Sequence, residues 1–156
     1  MFANQHKLTG RLTIDIYDAL NQNHETKVVN NLITRTGKET LAKYFINNIT
    51  SALGFYIGVG TGTTAAAEAN TALETQQEEV AATVTFIEDA TKPVTLRVSA
   101  AVPPLATGAA AQPLTEAGIL LNISGQATKA LYNRVTFAAI NRTEATTLNF
   151  AWDISF

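Results

Sequence analysis

Gly58, Gly60 and Gly62 alternate within Phe55–Thr64 (FYIGVGTGTT), directly behind a short apolar run. A glycine-rich loop of this kind can turn its backbone amides onto a phosphate. A P-loop, however, needs Gly-x4-Gly-Lys-Ser/Thr, because the lysine neutralises charge that the amides only cradle. Here there is no lysine and the glycines stand too close together. The dinucleotide pattern Gly-x-Gly-x-x-Gly fails as well, since the third glycine falls two residues on and no apolar helical stripe follows. The stretch reads instead as a buried strand leaving its sheet through a tight loop. Its three glycines are then required by backbone shape or by packing too close for a Cβ.

The other reactive side chains are sparse. Histidine occurs only as His6 and His24, and His24 falls in a polar turn, so exposure to solvent is expected. The chain has no cysteine, which excludes disulfides and thiol catalysis, and two isolated histidines make a poor zinc site. None of the four serines lies in a Gly-x-Ser-x-Gly elbow. Glycoside hydrolysis would need two carboxylates held across a cleft. Glu78-Glu79 and Glu88-Asp89 are adjacent pairs, which on strands point to opposite faces and read as solvated charge at strand ends. Glu116, between Thr115 and the apolar Ile119-Leu120-Leu121, is expected to bond loop amides. Tyr132 and Arg134 are placed two residues apart, on one strand face, and together form a thin case for a loop-borne carbohydrate site. These residues predict no enzyme, no cofactor and no metal.

The elements that would position these residues are mostly strands. At 156 residues the chain fits one domain with a substantial core. Its charged fraction of 15% is low, and alanine and threonine take the place of charge. A net charge of -2 gives no basic footprint for nucleic acid or for a membrane surface. Met1–Lys7 lacks an apolar segment, and no apolar run reaches the ~18 residues of a membrane span. A protein made in a cytoplasm is therefore expected.

Leu12–Asp18 alternates apolar and polar residues strictly, and Lys27–Ile33 follows a polar turn as its hairpin partner. Thr36-Gly37-Lys38-Glu39 has the form of a capping box opening a helix at about 37–48, with Leu41, Ala42, Phe45 and Ile46 as its apolar stripe. Ala65–Glu79 is either a short helix from Thr71 or an ordered loop anchored by Leu73. Val80–Glu88, Val94–Val102, Leu114–Asn122 and Lys129–Phe137 read as further strands, the last two joined by a hairpin at Ser124-Gly125. Leu148, Phe150, Trp152, Ile154 and Phe156 alternate to the end of the chain, which predicts a strand inside a sheet. Seven or eight strands and one helix predict a mainly β fold, an antiparallel β-sandwich or jelly-roll-like domain over 10–156 behind an N-terminal arm, 1–9.

As an ordered set, several motifs resemble a known group. They are Asn30–Lys38 opening a helix, Ile57–Ala65, Asn70–Glu74, Leu114–Ile119, Leu131–Phe137 and the closing Leu148–Phe156 strand. Over about residues 8–156 the chain is similar to small structural proteins of tailed bacteriophages, of the capsid decoration (cement) or tail-associated type. The resemblance implies a virion component without enzymatic activity, assembled in the host cytoplasm. Its partners would be the major capsid protein or other virion subunits, and it would be a homo-oligomer. Few exposed-looking aromatics and no stalk repeat favour the head over a fibre tip. Alanine and threonine at outward strand positions suit packing against neighbouring subunits. Contacts are expected from the arm (Phe2, Asn4, His6) and from the Pro103–Pro113 connection (Pro103, Pro104, Pro113), so removing residues 1–9 should weaken particle binding without unfolding the domain.

Overall fold

Alternation of apolar and polar side chains sends each long strand into a ladder with one face inward. The computed structural model describes residues 8–91 and 93–156. Its elements are β1 (Thr9–Asp18), β2 (Asn23–Ile33), α1 (Arg35–Phe45), β3 (Leu53–Gly60), β4 (Gln76–Ala81), β5 (Thr83–Ile87), β6 (Thr95–Val102), β7 (Gln112–Ile123), β8 (Ala130–Arg142) and β9 (Thr146–Ser155). The protein is mainly β, with antiparallel strand pairs and one short helix, as the alternation predicts. Thr9, expected in the arm, already pairs with Ser155 in the sheet. Phe2, Asn4 and His6 lie outside the described residues.

The nine strands run in the order β4-β3-β7-β8-β2-β1-β9-β6-β5. The two outermost, β4 and β5, are consecutive in the chain and separated only by Ala82, whose N–H donates to the Phe55 carbonyl at 2.9 Å. What reads in sequence as one strand over 80–88 therefore bends at Ala82. Its first half pairs with β3 and its second with β6, bringing the sheet nearly to closure. One layer is β2-β1-β9-β6-β5; the other is β4-β3-β7-β8, joined by Leu32 and Ile33 at the end of β2.

Between the layers lie Leu12, Ile14, Val98, Phe150 and Trp152 with Ile57, Val59, Ile119, Leu121 and Val135, all buried. Each such side chain contributes roughly 1.5–3 kcal/mol relative to exposure. The Trp152 indole N–H donates to Asn31 Oδ1 at 3.0 Å, so the largest buried ring meets its polar requirement. β9 lies between β1 and β6, inside the sheet as expected, with Phe156 half-exposed beyond its last rung.

The helix differs from expectation at both ends. Its N-cap is Thr34, two residues before the expected Thr36: the hydroxyl accepts from Gly37 N–H at 3.0 Å and donates to the Leu131 carbonyl at 2.6 Å. Tertiary contact selects this cap, because Gly37 must lie against β8, where an added Cβ would stand 2.2 Å from the Tyr132 carbonyl oxygen. Glu39, freed from capping, pairs with Arg35 one turn back at 2.9 Å. The helix ends at Phe45, with Asn47 left-handed (φ 58) just past the Ile46 cap. That docking turns Gly37 and Thr40 inward and Leu41 partly so, while Phe45 is 94% and Ile46 71% exposed, contrary to the expected stripe.

A bulge in β8 corrects a second expectation. Ile119 pairs with Asn133 and Leu120 with Leu131, so Tyr132 has no partner on β7. The Asn133 side-chain oxygen fills the break by accepting from Ile119 N–H at 2.8 Å. Tyr132 therefore packs in the main core and Arg134 reaches the 61–75 segment, so the two do not share a face.

Candidate functional site

Ile57 and Val59 face the main core, which leaves Gly58 and Gly60 on the opposite face of β3. The chain leaves β3 at Gly60 and returns over that face as an ordered loop, 61–75, with no helix at Thr71. Leu73 anchors it in a small cluster with Leu120, Leu131 and Tyr56. The glycines make the closeness possible. A Cβ on Gly60 would meet the Thr75 carbonyl oxygen at 2.4 Å and Glu116 Oε1 at 2.5 Å, and one on Gly62 would meet Glu74 Cβ at 2.5 Å. At Gly58 it would meet only the methyl ends of Leu73 and Leu120, each at 3.0 Å.

Under the loop lies the carboxylate of Glu116, fully buried on β7. Oε1 accepts from the N–H groups of Gly62 (3.0 Å) and Thr75 (2.7 Å); Oε2 accepts from Glu74 N–H (3.0 Å) and Arg134 Nε (2.8 Å). Burial alone would raise the Glu116 carboxyl, but the donors from Thr75, Glu74, Arg134 and Gly62 outweigh it and hold the group below the ordinary carboxyl range. Arg134, 1% exposed, extends the network to Asn70 Oδ1 (3.1 Å) and Glu74 Oε2 (3.3 Å). Glu74 in turn accepts from the Thr64 hydroxyl (2.7 Å) and N–H (2.8 Å), which keeps its own carboxyl low. The amides of a glycine-rich loop are thus turned onto an anion, and that anion is the chain's own side chain. Two carboxylates and one guanidinium also leave the cluster net negative, which disfavours entry of a phosphate.

The remaining candidates are dispersed. His24 is exposed as expected, and its Nε2 stands 3.8 Å from Asp15, beyond hydrogen-bond reach. Glu78 and Glu79 do point apart, but each is ion-paired, Glu78 with Arg142 at 2.5 Å and Glu79 with Lys129, so neither is simply solvated. Tyr132 is 3% exposed, and its hydroxyl has no partner among the described residues; burial pushes its phenol up. Neither Tyr132 nor Arg134 offers an open platform for a sugar ring. Among the described residues no group of three metal-binding side chains occurs, and no helix is long and apolar enough to cross a membrane.

Sequence reasoning passed over a second buried arginine. Arg142, eight residues after Arg134 on the same strand, donates from Nε (2.8 Å) and Nη2 (2.6 Å) to the Pro103 carbonyl. With Leu105 N–H on the Thr143 carbonyl (3.0 Å) and Gly108 N–H on Glu144 (2.8 Å), it pins the Pro103–Pro113 connection to the end of β8. Pro103, Pro104 and Pro113 remain exposed, with Pro113 inside β7.

The outer face of the β2-β1-β9-β6-β5 layer carries one row without charge. Ladder register sets Val28, Thr13, Ala151, Ser99 and Thr83 in one uncharged row across all five strands. The next row is Asn30, Arg11, Asp153, Arg97 and Thr85, where Arg97 grips Asp153 through two bonds of 2.7 and 2.8 Å. The third carries Thr26, Asp15, Asn149 and Ala101. No family model matches the chain, and no curated protein and no solved structure matches it.

Proposed function

We propose that this protein is a non-enzymatic structural component of a tailed-phage particle, and specifically a head decoration protein that packs against capsid subunits. The observation that carries the reading is the outer sheet face, where a five-strand row of Val28, Thr13, Ala151, Ser99 and Thr83 holds no charge. Such a row loses less hydration when covered than a charged one would, and its small side chains allow close approach of a neighbour. Phe45 and Ile46 add an exposed apolar step at the end of the helix. The buried charges support the same reading, since the groups bonded to Glu116, Arg134 and Arg142 hold loops in place. The resemblance in motif order supplies the phage context.

Gold-labelled antibody against the chain, applied to particles of a phage that encodes it, tests the proposal. Label over the head supports decoration. Label over the tail or baseplate replaces decoration with a tail role. Particles that carry no label, from lysates in which the chain is abundant, overturn the virion reading.

A further inference from the structure

The two outermost strands treat their free edges differently. β4 carries Gln76, Gln77, Glu78 and Glu79, and charge of this kind discourages another strand from docking. β5 is Thr83-Val84-Thr85-Phe86-Ile87, without charge or proline, and among the described residues its only ladder partner is β6. Ladder alternation fixes which of its groups are open. Ala82 N–H points to Phe55 of β3, so the N–H and C=O of Val84 and Phe86, of the same parity, point away from β6. Among the described residues they have no backbone partner. Their side chains are also exposed, Val84 at 37% and Phe86 at 53%. Val94 and Phe156, at 54% and 48%, continue the same apolar sheet face through the register Phe86–Leu96–Ile154.

We propose that β5 is a self-association edge: two copies pair their β5 strands antiparallel about a two-fold axis through Thr85. This register sets Val84 against Phe86 of the second copy, so all four open groups on each edge are satisfied. It sets Thr83 against Ile87, where the ladder ends because β3 holds the edge of Ala82, so no like charges meet. Paired about Thr85, the uncharged edge meets itself with every open group matched, as an isologous contact requires, and this points to a second copy. Shifting the register two residues toward the N-terminus would need the Ala82 N–H that β3 already holds. Shifting it two residues the other way would put Glu88 against the apolar Val84. A five-residue edge is small beside the ~800 Å² per partner of a stable interface. The dimer is therefore concentration-dependent in dilute solution and is favoured where copies are held side by side. The inference concerns the isolated protein and stands apart from its place in a virion.

The absence of cysteine makes the test clean. At the axis Thr85 faces its own copy as a non-hydrogen-bonded pair, where Cα atoms stand about 4.5 Å apart, within disulfide range. Thr83 and its copy stand about 13 Å apart. Under mild oxidation Thr85→Cys is expected to cross-link to dimer at least tenfold faster than Thr83→Cys, and adding Val84→Lys is expected to abolish the difference while the far-ultraviolet spectrum stays unchanged. Equal cross-linking rates for the two single variants would overturn the proposal, as would a Thr85→Cys protein that stays monomeric at every concentration.

Discussion

At the scale of single residues, the buried charges decide more than any reactive group. Glu116 is bonded by three backbone N–H groups and Arg134, so its ionised form belongs to the folded state. Its folded pKa lies below the ordinary value, and the stability it contributes is therefore present above about pH 4.5 and lost as pH falls through the folded value. Glu116→Gln should cost about 3 kcal/mol in urea unfolding at pH 7, because Arg134 keeps its charge in a buried place. The gap between wild type and variant should close as the pH drops below 4.5. Tyr132 predicts the opposite sign. Its raised pKa favours the neutral phenol, so wild-type stability should fall as pH rises above about 10. Tyr132→Phe removes a buried hydroxyl that has no partner among the described residues. It should leave stability at pH 7 unchanged or improved by up to ~1 kcal/mol and should blunt the alkaline loss, read by thermal melts at pH 7 and 10.5.

At the scale of elements, β3 and the loop it feeds show what sequence could and could not convey. Apolar spacing in Phe55–Val59 announced a buried strand, and failed phosphate motifs announced that the glycines serve packing. Glu116 was legible as a partner of loop amides because an isolated acid beside an apolar run must be satisfied once buried. The helix cap and stripe were not legible. Thr36-x-x-Glu39 satisfies a local rule, but the docking of Gly37 on the Tyr132 carbonyl, set by residues about a hundred positions away, moved the cap to Thr34 and turned Phe45 outward. The bulge at Tyr132 was hidden for the same reason, since alternation counts residues and a bulge changes the count. The 61–75 loop packed over β3 makes a graded prediction across the glycines. Gly60→Ala should cost at least ~2 kcal/mol because a backbone oxygen lies 2.4 Å from the new Cβ. Gly58→Ala should cost less, since only leucine methyl ends need to give way. Denaturant midpoints of the two variants, compared at equal m-value, check the order.

At the scale of the whole molecule, a nearly closed sheet spends its long-range contacts on rigidity and leaves two kinds of surface for use. One is the outer face with its uncharged row, the other the open β5 edge. Mainly β architecture and the placement of β9 inside the sheet were readable from alternation, while the near-closure through Ala82 was not, because one apolar run served two ladders. The proposal that this scaffold works by assembly stands or falls on whether it is part of a particle. Quantitative mass spectrometry of particles purified through a density gradient measures that directly. Peptides of this chain are expected in a fixed ratio to the major capsid subunit, retained through successive gradients. Peptides abundant in the lysate but absent from the purified particles would contradict it.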